Sequence, residues 1–134
     1  NKDKKFVNKI YKQIIEKKKI LNVVNDKLGT PTYTVDFAKN AKLLLENKFW
    51  GKYNLVCEGE SSRYDVAKEI LKILKKTNDI ELREVDSSFF SKEYFSKRPR
   101  SERLINRKLN LRNLNIMRDW KICLKEYLES KFID

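Results

Sequence analysis

The sequence predicts a single small domain of the α/β class. Its 134 residues suffice for one hydrophobic core, and 40% of them are apolar although 37% are charged. Segments with apolar residues at helical spacing alternate along the chain with short β-prone runs, which is the element order of an α/β fold. No internal repeat or low-complexity linker divides the chain. The few short strands predict a small sheet of the kind that completes a larger one.

The chain is predicted to begin with a helix and a strand. Apolar residues recur at helical spacing among lysines and predict a helix over residues 4–18, with Phe6, Ile10, Ile14 and Ile15 on its apolar face. Leu21–Val24 is a short β-prone run and predicts the first strand.

A loop and a second helix follow. Gly and Pro within residues 26–32 predict a turn and loop. Thr34 is suited to cap a helix over residues 35–47. The inward face of that helix is predicted to hold Val35, Ala38, Ala41, Leu44 and Leu45.

The middle of the chain repeats this strand and helix order. Tyr53–Cys57 is predicted to be a strand. Ser61 or Ser62 can cap a helix over residues 63–76. Its apolar residues are Val66, Ala67, Ile70, Leu71 and Leu74.

The last third of the chain is predicted to contain one strand, an irregular stretch and two helices. Ile80–Val85 alternates apolar with charged residues, the period of a half-buried strand. Residues 86–101 are irregular, and Asn106 can cap a short helix over residues 107–111. Asp119 opens a final helix to about residue 131, with Trp120, Cys123, Leu124, Tyr127 and Leu128 facing inward.

The composition excludes several kinds of catalytic and metal site. The chain has no His, which rules out a Ser-His-Asp triad, a Cys-His dyad and His-ligated zinc. Cys57 and Cys123 lie among apolar neighbours and are expected to be buried and reduced, as in a cytosolic protein. The three glycines are too scattered for a dinucleotide- or phosphate-binding loop. No apolar run reaches the roughly 20 residues of a membrane span.

The net charge of +12 comes from two segments. Residues 1–20 carry eight Lys and two acidic residues, residues 97–112 carry seven basic residues and one acidic residue, and the rest sums to zero. We interpret the first segment as a solvated helix face. The second is rich in Arg, whose planar guanidinium suits phosphate, so it predicts a surface for nucleic acid or for a phosphate or diphosphate ligand.

Tyr64 and Lys68 have the Y-x-x-x-K spacing in which Lys lowers the pKa of a catalytic Tyr. Here the pair opens a helix after a Ser cap, and no Gly-rich cofactor turn precedes it. We therefore interpret Tyr64 as a packing residue of the first helical turn and Lys68 as a solvated one. Trp50 and Trp120 are expected in the core or at an interface between subdomains.

Two loops hold candidate ligand-binding residues. The loop with Thr30 and Thr32 leads into a helix, so its hydroxyls and backbone N–H groups could contact a ligand, or it could be only a capped turn. Arg98 follows a loop rich in aromatic residues and precedes Pro99, which favours an extended backbone. We favour ligand contact for Arg98 over a solvated charge on a packed loop.

Four segments together resemble dTDP-4-dehydrorhamnose reductases, which are extended short-chain dehydrogenases/reductases. NVVNDKLGTPTYTVDFAKNAKLLL resembles the family's D-Q-x-G-x-P-T segment, and GKYNLVCEGESSRYDVAKEIL resembles its G-x-Y-H segment. KRPRSERLINRKL is similar to its R-P-x-x-S-x-L segment, and RDWKICLKEYL to its final helix. The order is the family's, over nearly the whole chain. Lys27, Asn54 and Arg63 stand where the family usually has Gln, His and Trp.

The resemblance implies the C-terminal portion of an extended short-chain reductase, within the NAD(P)-binding Rossmann-type superfamily. Three or four helices with a few short strands are expected, without the main Rossmann sheet. Residues 1–134 would form a single C-terminal substrate-binding subdomain. The dinucleotide-binding half, with the family's Gly-rich turn and catalytic Tyr and Lys, would lie outside this chain. Tyr53–Cys57 resembles a strand that joins the main sheet of the longer enzymes.

By the same resemblance, the longer enzyme reduces dTDP-4-dehydro-L-rhamnose to dTDP-L-rhamnose with NADPH or NADH, in the cytoplasm, for polysaccharide biosynthesis. This segment would close over the nucleotide-sugar, and its substrate-binding residues would be Arg98, Thr30, Thr32, Arg100 and Ser101. It would hold no catalytic residue, cofactor or metal and would be inactive alone. An exposed sheet edge and an apolar face would make the isolated segment self-associate.

Two alternatives stay open beside that function. One is a related extended reductase or epimerase, or a non-catalytic relative with this fold. The other is a small basic nucleic-acid-binding domain, whose affinity would fall by roughly 10³-fold or more between about 50 and 200 mM salt for six or more phosphate contacts. We expect neither a nucleic-acid nor a membrane partner, because the four matching segments explain the chain and its charge outside two segments sums to zero.

Overall fold

The structure is a computed structural model that describes residues 5–91 and 99–132. Those residues form five α-helices, four short strands and one 3₁₀ helix. The resemblance implied three or four helices, so the structure has one more than the larger of these numbers. The elements, in chain order, are α1 (Phe6–Ile15), β1 (Ile20–Val24), β2 (Leu28–Gly29), α2 (Thr34–Glu46), β3 (Ser61–Ser62), α3 (Arg63–Ile73), β4 (Glu81–Val85), the 3₁₀ helix (Ser87–Phe90), α4 (Arg107–Leu111) and α5 (Trp120–Phe132).

The chain divides into two compact units, and each unit combines two separate stretches of sequence. Unit 1 comprises Asn1–Leu28 and Ser61–Ser101. Unit 2 comprises Gly29–Glu60 and Glu102–Asp134. Each unit therefore depends on contacts between residues that are far apart in the chain.

Unit 1 has an aliphatic core. β1 and β4 pair in parallel, from Ile20 opposite Glu81 to Val24 opposite Val85, and α3 packs against both α1 and β1. The two strands confirm the predicted β-prone runs. Ile15, predicted to face inward, is instead exposed. The core residues are Ile10, Ile14, Leu21, Val23, Val24, Val66, Ala67, Ile70, Leu71 and Ile80.

The start of α3 confirms the predicted serine cap and identifies Ser62 as the capping residue. The Ser62 hydroxyl accepts a hydrogen bond from the backbone N–H of Asp65 at 3.1 Å, and the Asp65 carboxylate accepts one from the Ser62 N–H at 2.8 Å. This reciprocal arrangement is a capping box, which satisfies two N–H groups at the helix start.

Four helices end in a left-handed residue that is not glycine. Lys17, Lys48, Lys75 and Asn113 follow the C-caps of α1, α2, α3 and α4 with φ between 54° and 58°. After α3, the N–H of Lys76 donates to the Leu71 carbonyl at 2.8 Å, which closes the last turn. α1 and α3 therefore end at Ile15 and Ile73, each three residues earlier than the apolar spacing predicts.

Unit 2 has a mixed interior. Its buried apolar residues are Leu44, Cys57, Leu109, Met117, Trp120, Cys123, Leu124 and Leu128. The burial of both cysteines, neither of which forms a disulfide, is as predicted. Three polar side chains are equally buried: Asp36, Asn40 and Asn106.

The predicted inward face of α2 is wrong except at Leu44. Leu45 is 61% exposed and Val35 40% exposed, whereas Asp36 and Asn40 on the other side of the helix are 2% and 0% exposed. The reason is that these two polar side chains find partners inside unit 2. The Asn40 amide donates to the Leu114 carbonyl at 3.1 Å and accepts from the Ile116 N–H at 3.2 Å.

The predicted cap of α2 is also wrong. Thr34 is the first residue of the helix itself, and Tyr33 occupies the N-cap position without a side-chain hydrogen bond. The Tyr33 N–H donates instead to the sulfur of Cys57 at 3.3 Å.

No strand forms over Tyr53–Cys57, contrary to the prediction. Near this segment, the chain makes a single isolated bridge between Glu58 and Asp119. The side chain of Asn106 binds both backbone groups of Val56, through N–H to Oδ1 at 3.1 Å and Nδ2 to the carbonyl at 2.7 Å. A side-chain amide thus takes the place of a neighbouring strand. Asn106 stands at the N-cap of α4 as predicted but makes no capping bond there.

Candidate functional site

The predicted substrate-binding residues lie in both units, and Arg98 lies outside the described residues. In unit 2, the Thr30 hydroxyl donates to the Gly59 carbonyl at 3.0 Å, and Thr32 is exposed. In unit 1, the Arg100 carbonyl accepts from the Leu28 N–H at 2.8 Å, and Ser101 forms an isolated bridge with Leu28. The backbone around Thr30, Arg100 and Ser101 is therefore anchored by hydrogen bonds within each unit.

Gly59 fixes the turn that holds Thr30. Its φ is +86°, and a Cβ at this position would lie 2.9 Å from Cδ1 of Trp120 and 3.1 Å from Oδ2 of Asp119. A side chain would therefore meet both an unfavourable backbone conformation and the rigid Trp120 ring. The Thr30 loop rests on a position that only glycine fills without a shift of its neighbours.

A polar cluster surrounds the buried Asp36 in unit 2. Arg118 donates to both Asp36 carboxylate oxygens, at 2.8 and 2.7 Å, and to Glu126 at 2.7 Å. The Cys123 thiol donates to Asp36 Oδ2 at 3.2 Å. This cluster joins α2, which holds Asp36, to Arg118 and to α5, and these segments are more than eighty residues apart in the sequence.

The charges in this cluster stabilise one another's ionised forms. Hydrogen bonds from Arg118 hold the pKa of Asp36 below its usual range, against the opposing effect of burial, and they lower the pKa of Glu126. The two carboxylates raise the pKa of Arg118. Burial, followed by the bond to Asp36, raises the pKa of the Cys123 thiol. Burial and Glu126 raise the pKa of Tyr33.

These pKa shifts indicate a structural role for the Asp36 cluster. Asp36 is saturated by Arg118 and stays ionised near neutral pH, so it is a poor proton donor and a poor base. Cys123 stays protonated and buried, whereas a nucleophilic cysteine needs an accessible thiolate. The cluster fixes the start of α2, directly after the Thr30 and Thr32 loop.

A second buried network was not predicted from the sequence. The Asn106 amide also donates to Glu58 Oε1 at 3.0 Å, and Asn115 donates to the same oxygen at 2.6 Å. The partners of Asn106 are about fifty residues away in the chain, so no local pattern indicates them. The network positions the segment before Gly59, and through it the carbonyl that holds Thr30.

An open pocket of about 330 Å³ lies in unit 1, at the carboxyl ends of β1 and β4. Asn25, Asp26, Glu84, Val85 and Asp86 line it. Ligands often bind at such an edge of a parallel sheet. Three carboxylates nevertheless make this pocket unfavourable for a phosphorylated ligand, so we do not assign it to one.

The basic residues of the predicted Arg-rich segment are partly engaged with the protein. Arg103 is ion-paired with Glu60. Arg112 donates to the Tyr53 hydroxyl at 2.6 Å, and the Lys108 ammonium lies 4.4 Å from the centre of the Tyr53 ring, a cation–π contact. Two residues, Glu60 and Tyr53, therefore engage three cations of the segment.

The three glycines of the chain differ in their surroundings. A Cβ at Gly29 would meet no atom within 4 Å, whereas Cβ atoms at Gly51 and Gly59 would lie against Lys108 and Trp120 of the same unit. Within ranges 5–91 and 99–132, no group of three or more acidic or Cys residues could hold a metal ion. Tyr64 is half-buried and Lys68 exposed.

None of the helices in the part of the chain that the structure describes has the length and apolar content needed to cross a bilayer. The longest of these helices, α2 and α5, have 13 residues each.

A family model described as RmlD substrate binding domain matches residues 1–132. No curated protein sequence matches the chain significantly. The sequence match therefore covers all but the last two residues of the chain.

Solved structures match the same length of chain. A dTDP-4-dehydrorhamnose reductase from Clostridium acetobutylicum is 32% identical, with a TM-score of 0.86 over 97% of this chain. One from Yersinia enterocolitica is 26% identical, with a TM-score of 0.84 over 96% of this chain. One from Bacillus anthracis, in complex with NADP, is 21% identical, with a TM-score of 0.85 over 98% of this chain, and supports the fold. The chain spans only 44–45% of the length of these proteins.

Proposed function

The chain belongs to the RmlD substrate binding domain family, and from this premise we propose that it is the substrate-binding portion of a dTDP-4-dehydrorhamnose reductase. The longer protein reduces dTDP-4-dehydro-L-rhamnose to dTDP-L-rhamnose with NADPH or NADH, as a step of polysaccharide biosynthesis. Residues 1–134 form a single subdomain that closes over the nucleotide-sugar. The observation that carries this proposal is the family match over residues 1–132, together with 32% identity to a reductase of that name.

The cofactor is held by the portion of the longer protein that this chain does not span. The Bacillus anthracis protein is solved with NADP, and this chain aligns with 45% of it. The three glycines of this chain are too scattered in the sequence for the Gly-rich turn of a dinucleotide site. The hydride donor and the proton-donating Tyr therefore lie outside residues 1–134, and the isolated chain is inactive.

The residues proposed to contact the dTDP-sugar are Arg98, Thr30, Thr32, Arg100 and Ser101. Arg98 is assigned to the diphosphate, since a guanidinium donates two parallel hydrogen bonds to phosphate oxygens. Thr30 and Thr32 are assigned to the sugar or its cleft. The bond from Thr30 to Gly59 supports this assignment indirectly, because it holds the loop in one conformation.

The test is a joined protein, in which the part of the Clostridium acetobutylicum reductase that this chain does not match precedes residues 1–134. We expect it to oxidise NADPH in the presence of dTDP-4-dehydro-L-rhamnose, and the isolated chain to show no turnover. Turnover of a different dTDP-sugar would favour a related extended reductase. Binding of NADPH without turnover of any dTDP-sugar would favour a non-catalytic relative.

Arg98→Ala in the joined protein tests the proposed diphosphate contact. We expect KM for the dTDP-sugar to rise by about 10- to 100-fold, since a hydrogen bond to a charged group contributes about 1.5–3 kcal/mol. Arg107→Ala, an exposed arginine of the same basic segment, is the control and should leave KM unchanged. Equal effects of both substitutions would indicate general attraction by the basic segment, as the nucleic-acid alternative requires.

We also propose that the protein is cytoplasmic and that the isolated chain self-associates. Its two cysteines are buried and form no disulfide, as in proteins of a reducing compartment. Unit 2 exposes large apolar side chains, among them Phe37, Leu45 and Trp50. Light scattering should detect association that grows with concentration, whereas a monomer at high concentration would contradict this proposal.

A further inference from the structure

Two cations of unit 2 meet at one tyrosine. The Lys108 ammonium lies 4.4 Å from the centre of the Tyr53 ring, and the central carbon of the Arg112 guanidinium lies 5.8 Å from the same centre. Arg112 also donates to the Tyr53 hydroxyl at 2.6 Å. Two positive charges are therefore gathered around one neutral side chain. We name these three residues the Tyr53 cluster.

No carboxylate of the described residues balances these two charges. The ion pairs of unit 2 within ranges 29–60 and 102–132 do not include Lys108 or Arg112. The face of the Tyr53 ring attracts the ammonium through its quadrupole, but the ring carries no negative charge. The Tyr53 cluster therefore holds two cations whose counter-charge is not among the described residues.

Arg118 shows how the same unit treats another cation of similar burial. In the described part of unit 2, Lys108 and Arg118 are the two basic side chains that are half-buried, and the other basic side chains are exposed. Arg118 pairs with Asp36 and with Glu126, each at 2.7 Å. Lys108 has only the ring. Because a cation that is partly removed from water requires an acceptor or an opposite charge, the environment of Lys108 is the one that a bound anion would complete.

The two cations also stand at a spacing that is unfavourable for like charges. Lys108 lies in α4 and Arg112 is its C-cap, four residues later. Side chains four residues apart on a helix are neighbours, so like charges at this spacing repel and opposite charges attract. In α2 the same spacing joins Lys42 to Glu46 as an ion pair. An anion bound between Lys108 and Arg112 would replace their repulsion with two attractions.

Gly51 leaves room for the ammonium and keeps it accessible. A Cβ at Gly51 would lie 2.6 Å from Nζ of Lys108, so the ammonium occupies the space that a side chain would take. Gly51, Lys52 and Arg112 are exposed. A small ligand can therefore approach both cations of the Tyr53 cluster from solvent.

We propose that the Tyr53 cluster binds a phosphate group, at a site separate from the residues proposed to contact the dTDP-sugar. The Lys108 ammonium and the guanidinium N–H groups of Arg112 that Tyr53 does not use are the main donors, and both kinds of cation bind phosphate. The Tyr53 oxygen accepts from Arg112, which leaves the hydroxyl proton for a phosphate oxygen. A phosphate dianion balances both charges. The phosphate group is that of inorganic phosphate or of a nucleotide.

The test is a titration of the chain with inorganic phosphate at constant ionic strength, followed by phosphorus NMR. Lys108→Met removes the charge and keeps an unbranched side chain, and we expect it to raise Kd by about tenfold or more, the value of a hydrogen bond to a charged group. Tyr53→Phe keeps the ring and removes the hydroxyl that holds Arg112, and should raise Kd by about threefold.

Lys121→Met is the matched control. The Lys121 ammonium also lies over an aromatic ring, 5.6 Å from that of Trp120, and no second cation–π contact to this ring is found among the described residues. Its loss should leave Kd unchanged.

Two outcomes overturn the proposal. Equal losses of affinity in Lys108→Met and Lys121→Met would mean that phosphate is attracted by the net charge of +12 and not by a site. An unchanged Kd in Lys108→Met would mean that the Tyr53 cluster only packs α4 against Tyr53. If Lys108→Met lowers Tm, Arg112→Gln at an exposed position takes its place in the test, with the same expected loss.

A titration with dTDP distinguishes the two sources of the phosphate group. It is carried out on Arg98→Ala, which lacks the proposed diphosphate contact of the substrate site. Binding of dTDP that is tighter than that of inorganic phosphate, and that is lost when Lys108→Met is added, would identify a nucleotide as the ligand. Equal or weaker binding of dTDP would identify free phosphate. Neither titration requires turnover, so the result is independent of the proposed function.

Discussion

The two units of this chain are built on different interiors. Unit 1 is held by an aliphatic core and a parallel pair of strands, and its two buried polar residues, Ser61 and Ser62, lie at the start of α3. Unit 2 contains a buried carboxylate and two buried amides, each joining segments distant in sequence. Of the fourteen large apolar side chains that are exposed among the described residues, ten belong to unit 2: Val35, Phe37, Leu45, Phe49, Trp50, Leu104, Ile105, Leu111, Ile116 and Ile122.

The two units differ in how many apolar side chains they leave at the surface. Among the described residues, unit 1 buries ten apolar residues and exposes four large ones, Ile15, Ile20, Leu28 and Phe89. In its described part, unit 2 buries eight apolar residues, joins its segments through buried polar side chains, and exposes ten large apolar ones. Unit 2 also contains Gly59 and the loop with Thr30. The unit that exposes more apolar side chains is therefore also the one in which a hydrogen bond holds this loop.

Among the tests of this comparison, Arg118→Leu is expected to have the largest effect on stability. It leaves the buried Asp36 carboxylate without its cation. Because the Arg118 side chain is itself 36% exposed, we expect a cost of about 3 kcal/mol of unfolding free energy, the lower end of the range for breaking a buried pair. Both tryptophans of the chain, Trp50 and Trp120, lie in unit 2, so urea unfolding followed by fluorescence reports on this unit.

The matched control is Arg83→Leu in unit 1. Arg83 pairs with Glu81 at the same 2.7 Å as Arg118 with Asp36, but both members of this pair are exposed, so the expected cost is below about 1 kcal/mol. Since unit 1 contains no Trp, the unfolding of both variants is also followed by circular dichroism, to which the helices of both units contribute. Similar losses from the two substitutions would mean that the interiors do not differ in their dependence on charge.

Acid removes the same buried charge without mutation. The lowered pKa of Asp36 means that its charge stabilises unit 2 fully above the unfolded Asp pKa of about 3.9, and that this contribution is lost as the pH falls through the lowered value. We expect a fluorescence transition below about pH 4 that is absent in Asp36→Asn. Asp79→Asn, which removes an exposed carboxylate in unit 1, should retain the transition.

Asn106→Ala tests the side chain that replaces a strand partner in unit 2. It leaves the half-buried backbone groups of Val56 unpaired, at an expected cost of about 1–3 kcal/mol. Hydrogen exchange at the Val56 amide should also accelerate. Asn54→Ala is the control, since the exposed Asn54 amide donates to the Ile105 carbonyl at 3.0 Å and its loss should stay within about 0.5 kcal/mol. Unchanged exchange at Val56 would assign the order of this segment to other contacts.

The sequence predicts unit 1 better than unit 2, for a physical reason. Apolar periodicity locates α1, β1, α3 and β4 because these elements bury apolar residues. The same rule places the wrong face of α2 inward, because Asp36 and Asn40 are buried by partners more than seventy residues away. Helix ends are missed where Lys rather than Gly adopts the left-handed conformation, as at Lys17 and Lys75.

The candidate site follows the same division. The position of the Thr30 loop before α2 is predictable from its Gly and Pro, and its attachment to Gly59 is not, since that contact spans 29 residues. Asn106 is predicted as a helix cap from its local context, yet its hydrogen bonds go to Val56 and Glu58. The proposed role of Arg98 rests on the resemblance to the family and on the ability of a guanidinium to bind phosphate.

The smallest expected effect comes from the starts of α2 and α3, for both of which the sequence predicts a hydroxyl cap. Ser62→Ala removes the capping box of α3 in unit 1 and should cost about 1 kcal/mol, measured by urea unfolding and by exchange in the first turn of α3. Thr34→Ala should change stability by less than about 0.5 kcal/mol, since Thr34 lies inside α2 and makes no capping bond. The start of α2 is fixed instead by Asp36 and Arg118, so its stability depends on charge rather than on a hydroxyl. A loss from Thr34→Ala as large as that from Ser62→Ala would contradict this, and would mean that both units begin their helices by the same local device.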